Sequence, residues 1–180
     1  MLEDILLACK NKYDELSTKD RLLEKQFKLS FSEHAAQAVV DQAYRVFRRR
    51  PKWQMRAWQT PCILSDMAKR VNISDKSVTG PPLPEECFTY LNLINAVDKF
   101  SNAPNLMDQP LWQILCKMRR VKIEIEFRVR SCGAQVAESE AAVNAFAKEI
   151  NVKKTKLLQL DKQLSDIKEE RVCFFTYSYY

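Results

Sequence analysis

Glycine is nearly missing: 180 residues hold two, Gly80 and Gly133. Tight turns and positive-φ positions draw on glycine, so an all-β or dinucleotide-binding chain is disfavoured. No glycine-rich phosphate loop can be built from that pair. Histidine is scarcer still, with His34 alone. A Ser/His/Asp or Cys/His nucleophilic site could use only that residue. It falls near the start of an amphipathic helix, where a surface position is the simpler reading. The six cysteines, Cys9, Cys62, Cys87, Cys116, Cys132 and Cys173, form no CxxC pair, which argues against a zinc site. Free thiols in a reducing, intracellular setting are expected. The glycosylation pattern at Asn72-Ile73-Ser74 would then go unused. No run approaches the ~20 apolar residues of a membrane span. The N-terminus is acidic and its apolar run short, unlike a signal peptide. Glu124 and Glu126, two apart on a helix, point about 200° from each other and cannot act as a carboxylate pair. No enzyme, cofactor or metal is expected.

What remains is helical. Charged residues reach 29%, mixed in sign, as on solvated helix faces. The net charge of +6 favours acidic partners: nucleic acid, a membrane surface, or an acidic protein. From Pro110 to about Glu170 the chain carries an apolar seam. It runs Ile114, Met118, Val121, Ile125, Val129, Cys132, Val136, Ser139, Val143, Phe146, Ile150, Lys153, Leu157, Leu160, Leu164, Ile167. From Val129 onward the steps alternate three and four without a slip. A sustained 3.5-residue period predicts a coiled coil. At roughly 1.5 Å per residue the helix would reach about 90 Å and must lie along something. The residues expected to pair are Val129, Val136, Val143, Phe146, Ile150, Leu157, Leu160, Leu164 and Ile167. The seam leaves open whether they meet a second copy, another chain, or the chain's own first helix.

The fold class expected is all-α, in four parts. Residues 1–51 read as a helical hairpin. Leu2, Leu6, Cys9, Tyr13, Leu16, Leu23 and Phe27 form a first seam broken only by Asp20, a residue better suited to fixing register than to chemistry. Ser32 is a candidate N-cap for a second helix, whose face is Ala36, Val40, Ala43, Tyr44 and Phe47. Pro51 stops it. Phe27 and Phe31 should meet Tyr44 and Phe47. Residues 52–109 hold most of the prolines and read as a partly disordered linker, Ser65–Pro84 especially. A short helix from Glu85 to Phe100 is expected within it, with Phe88, Leu91, Leu93, Ile94 and Val97 as its face. Residues 110–171 are the long helix, with Asp108 as cap and Pro110 in its first turn. A stutter near Ile125 and the helix-interior Gly133 mark the expected place for a bend or a change of partner. Residues 172–180 break the pattern and read as an irregular tail.

Two basic clusters stand out. Arg48, Arg49, Arg50 and Lys52 precede Trp53, Arg56 and Trp58. Aromatics among cations suit nucleic acid, so a nucleic-acid-binding or nuclear adaptor centred on Arg48–Trp58 is the alternative function. A helix C-terminus complemented by arginines, with the tryptophans docking on a protein, is the plainer reading and makes nucleic acid the lesser partner. Arg119, Arg120 and Lys122, beside Lys117, read as a solvated face or an acidic-protein contact balanced by Glu124 and Glu126.

Two ordered stretches carry a resemblance. The first is Leu22-Leu-Glu-Lys-Gln-Phe27 with Val40-Asp-Gln-Ala-Tyr-Arg-Val-Phe-Arg-Arg-Arg-Pro51. The second is Leu111-Trp-Gln-Ile-Leu-Cys116, then Arg119-Arg-Val-Lys-Ile-Glu124 and Glu126-Phe-Arg-Val129. Together, with the proline-rich stretch between them, they resemble the C-terminal coiled-coil part of the cilia- and flagella-associated protein 43 family. The resemblance implies a structural protein of the motile-cilium axoneme, located in the cytoplasm and cytoskeleton. Family members are large, with N-terminal WD repeats, and help tether an inner dynein arm to the doublet microtubule. The partners it implies are a paralogous axonemal protein, dynein or tubulin, with no membrane. The aromatic ending, unlike the family's continuing coil, makes a fragment, short isoform or incomplete gene model the expectation.

Overall fold

Asp108 starts the longest helix as expected. Its Oδ1 accepts a hydrogen bond from the Leu111 N–H at 3.0 Å, and Pro110, which lacks an N–H, sits in the first turn where none is needed. In the computed structural model, which describes residues 2–33, 36–51, 59–72, 82–105 and 107–177, the elements in order are α1 (Leu2–Ser32), α2 (Gln37–Arg48), α3 (Pro61–Arg70), α4 (Glu85–Val97), a single 3-10 turn (Phe100–Asn102) and α5 (Gln109–Tyr177). The fold is all-α. At about 1.5 Å per residue α5 spans roughly 100 Å and α1 less than half of that.

α1 lies antiparallel along the first half of α5. Lys10 Nζ pairs with Glu140 Oε1 at 2.7 Å, the Tyr13 ring lies over Gly133, and Asp20 Oδ2 meets Lys122 Nζ at 2.7 Å. Rising residue numbers on one helix meet falling numbers on the other. The helices pass closely at Gly133: a Cβ there would come within 3.3 Å of Tyr13 Cε2. α5 runs through Gly133 without a break in its helix.

Two apolar clusters clothe the start of α5. In the first, Phe27 and Phe31 of α1, Val40, Ala43 and Phe47 of α2, and Trp112 and Leu115 of α5 are buried. Phe27 stacks on Phe47 with ring centroids 4.2 Å apart and on Phe31 at 4.5 Å, and it meets Tyr44 at 6.0 Å. The expected α1–α2 hairpin is thus formed. Ser32, however, belongs to the last turn of α1, where its Oγ donates to the Leu29 carbonyl. Ala36 is the residue before α2. Ser32 is no N-cap because α1 holds its helical hydrogen bonds past Phe31.

The second cluster corrects the linker. Residues 61–70 form a helix, and Leu64, Met67, Ala68 and Val71 are buried with Cys87, Tyr90 and Ile94 of α4 against Ile123 and Phe127 of α5. Pro61 opens α3 rather than breaking it: Thr60 caps the helix, accepting from the Ile63 N–H, and Pro61 sits in its first turn. Spacing of three, four and seven from Leu64 is a helical face. α4 turns only part of the expected face inward: Ile94 is buried and Leu91 packs against the cluster, but Phe88 and Leu93 do not join them. Cys87, Tyr90 and Ile94 are buried, while Phe88 and Leu93 are exposed. Its pocket is set by α3 and α5 together, which the α4 pattern alone does not disclose. The same holds at the start of α5, where Ile114 and Val121 are exposed and Leu115, Arg119, Ile123 and Phe127 face inward in steps of four. A helix surrounded by several others need not keep a two-stranded seam. Residues 172–177, expected to be irregular, continue α5 to Tyr177.

Candidate partner-docking interface

Beyond Val143, none of the other described helices covers α5. Every described side chain from Asn144 to Cys173 is exposed. The seam residues Phe146, Ile150, Leu157, Leu160, Leu164 and Ile167 are all more than half exposed, from 51% at Ile150 to 62% at Leu157. Their 3.5-residue spacing lines them along one helix face. A contiguous apolar stripe of this kind marks an interaction surface, unlike scattered apolar residues. The stripe is flanked by Glu149 and Lys156 on one side and by Lys154 and Asp161 on the other. Lys153 occupies a core position, and its Nζ reaches Glu149 Oε1 at 2.6 Å.

The first part of the expected pairing set is differently placed. Val129, Val136 and Val143 are half-buried along the stretch where α1 runs. Over this stretch α1 packs along α5, with Lys10 on Glu140 and Tyr13 against Gly133. Asp20, the polar break in the α1 seam, holds Lys122, and Glu24 adds a second carboxylate at 3.2 Å. Lys122 is 5% exposed. A cation held there by two carboxylates fixes which residues of α1 and α5 lie opposite one another.

The basic contact patch does not form as a patch. Arg119 is fully buried; its Nη2 donates to Asp98 Oδ1 at 2.5 Å and to the Ile94 carbonyl at 3.1 Å. Arg120 donates through Nε to Asp98 Oδ2, through Nη1 to the Val71 carbonyl and through Nη2 to Asn95 Oδ1. Asp98, just past the end of α4, thus holds two arginines of α5, and Arg120 itself carries the link on to the end of α3. Its backbone carbonyl also accepts from Trp112 Nε1 at 3.0 Å. Arg50 binds Glu126 through both Nε and Nη2, each at 2.9 Å. Asn72 and Arg128 engage Glu124. Arg119, Arg120, Lys122 and Arg50 are therefore internal clasps; the carboxylates read as balancing a solvated face were only part of their partners. Arg48 and Arg49 remain exposed, with the Arg48 guanidinium 5.7 Å from the Tyr44 ring centroid. His34, Lys52, Trp53, Arg56 and Trp58 lie outside the described residues.

In the packed head formed by α2, α3, α4, the end of α1 and the start of α5, few of the described residues suit chemistry. Burial pushes the Cys116 thiol up to about 12, with Asp98 adding to the effect. Burial pushes Cys87 up to about 11, helped by Glu86. Neither is a ready nucleophile, since the thiolate is the reactive form. Burial also pulls the Arg119 guanidinium below its ordinary value, and Asp98 opposes that pull. Among the described residues no group of His, Cys, Asp and Glu is arranged to hold a metal, and no helix is long and apolar enough to cross a membrane. A cavity of about 170 Å³ lies beside the Arg50–Glu126 clasp, with Tyr90 and Phe127 in its wall. That is below the range usual for small-molecule sites.

A long helix, clasped at one end by its own chain and bare along the other, is a coiled-coil component, and the comparison with known proteins agrees. The model of the Cfap43 coiled coil matches residues 2–178. The chain belongs to the Cfap43 coiled-coil family. It is 24% identical over 169 residues to cilia- and flagella-associated protein 43 of Xenopus laevis, covering 94% of this chain and 10% of that protein. To the Mus musculus protein of the same name it is 24% identical over 165 residues, covering 92% of this chain and 10% of that one. The chain thus spans about a tenth of the length of these curated relatives. No solved structure matches it. Membership of the Cfap43 family makes this a cilia- and flagella-associated coiled-coil protein.

Proposed function

We propose that the chain is a structural element of the motile-cilium axoneme. It contributes to cilium assembly or movement by tethering dynein-associated components to doublet microtubules. The observation that carries this reading is the bare seam from Phe146 to Ile167 on a helix whose other end is anchored in a packed head. The head supplies a fixed base, and the seam supplies length and a face for another helix. The work is mechanical: no step of bond making or breaking is involved. A paralogous axonemal protein, dynein or tubulin are the partners in view.

The test is replacement of Leu157 and Leu160 by Asp in one chain. Both side chains are exposed, so the head should keep its thermal stability. Two charges in the seam should abolish capture of axonemal partners, since each buried seam leucine is worth about 2–5 kcal/mol. A doubly substituted chain that still recovers the same axonemal proteins from cilia would sink the proposal.

A further inference from the structure

We infer that the face from Phe146 to Ile167 takes a second copy of this chain, parallel and in register. This rests on reading that face as a coiled-coil seam, and goes on to name its occupant.

The flanking charges choose the occupant. In a parallel two-stranded coil, the residue just before one core position faces the residue five further along on the other strand. Glu149 then faces Lys154 of the second copy, and Lys156 faces Asp161 of the second copy. Two-fold symmetry repeats each contact on the opposite side. Further along, Gln163 faces Lys168 of the second copy, so no like charges meet at these flanks. The sequence is complementary to itself in this orientation.

The antiparallel arrangement is poorer. It brings like flanks together. In the register centred on the Leu157–Leu160 layer, Lys154 meets Asp161 of the second copy, but Glu149 meets Glu170 of the second copy. The gain on one side is cancelled on the other.

Lys153 sets the number of strands. It sits at a core position, yet its Nζ is drawn to Glu149 Oε1 at the flank of its own helix and the residue stays open to solvent. At the rim of a two-stranded seam a lysine can keep its charge in water while its stem packs. A third strand would enclose three such charges. The seam also begins where α1 leaves α5, so the two copies pair along their bare halves and their heads emerge together at one end.

The experiment is sedimentation equilibrium of the full chain at micromolar concentration, with E149K and K154E variants. The unsubstituted chain should sediment at twice the monomer mass. Each variant alone sets like charges against each other on both sides of the coil and should weaken self-association about tenfold. An equimolar mixture of the two restores opposite charges at every such contact and should recover most of the lost affinity. Helix content by circular dichroism checks that both variants fold. A monomer at all concentrations overturns the inference. So does E149K strengthening the association, the antiparallel result, or a mixture with no recovery. A monomer whose axonemal binding is nevertheless lost with L157D/L160D overturns the second copy alone and leaves the tethering role standing. A dimer whose axonemal binding survives L157D/L160D does the reverse.

Discussion

Asp20 and Lys122, 102 positions apart in sequence, meet at 2.7 Å. The contact joins the one polar break in the α1 seam to a nearly buried lysine of α5. Removing the carboxylate leaves that lysine with Glu24 as its one carboxylate, beside the residue-20 backbone carbonyl at 3.4 Å. Asp20→Ala should cost about 2–3 kcal/mol, less than a wholly orphaned buried charge because Glu24 remains. Urea denaturation followed by circular dichroism measures it. Replacing both residues by apolar ones, Asp20→Leu with Lys122→Met, should recover most of the loss. If the double variant is no better than the single one, the pair is doing something other than balancing charge.

Asp98 should be the more sensitive carboxylate. It holds a fully buried arginine and a second, part-buried one. Asp98→Ala leaves Arg119 uncompensated and should cost about 3–5 kcal/mol. For a chain of this length that lowers Tm by roughly 10 °C. Scanning calorimetry gives the number, and a shift within a degree or two would show that the clasp is not formed.

Gly133 makes a prediction with an unusual sign. A helix-interior glycine costs roughly 1 kcal/mol against alanine. The neighbour of an added Cβ is the edge of the Tyr13 ring, which is partly exposed and free to shift by a few tenths of an ångström. Gly133→Ala should therefore stabilise the chain by up to about 1 kcal/mol. Gly133→Leu should not, because a larger side chain forces α1 away from α5. Comparing denaturation midpoints of the two variants tests the geometry of the crossing.

The thiols can be ranked. Cys62 is exposed, whereas burial raises Cys116 to about 12 and Cys87 to about 11 from an ordinary 9.0. At pH 8 an alkylating reagent should modify Cys62 well before Cys87 and Cys116, read by peptide mass spectrometry. The sign for stability follows from the direction of the shift. A raised value favours the protonated thiol in the folded chain. The contribution of Cys116 is thus complete below about pH 9 and declines as pH rises toward 12. A chain with Cys116→Ala should lose part of that alkaline decline.

The parts of the fold legible in the sequence were those governed by local pattern. The α1 seam, the Phe27–Phe47 meeting, the Asp108 cap and the apolar spacing beyond Val143 all rest on short spacings or capping chemistry. The parts not legible depend on what stands opposite. Phe88 and Cys87 are neighbours with equal claim to an inward position, and only the pocket between α3 and α5 decides for Cys87. Pro61 reads as a breaker until Thr60 is seen capping ahead of it. Arg119 and Arg120 look like a solvated pair because their acid, Asp98, is about twenty residues away in sequence. One signal did point the right way: Leu64, Met67, Ala68 and Val71 carry a helical period inside the apparent linker. Of the proposed seam, the placing of charges beside apolar positions was present in the sequence; the boundary at which α1 gives way to an open face was not.

That boundary has a consequence for the angular bearing of the seam. α5 is one uninterrupted helix from Trp112 in the head to Ile167 in the open stretch. Each residue of a helix turns by about 100°. Inserting a single alanine between Asn144 and Ala145 would leave the head and the seam each intact but swing one about 100° around the axis relative to the other. If the head has a docking site of its own, its bearing relative to the seam is set by the count of residues between them, as in a key whose teeth are cut at a fixed clock position.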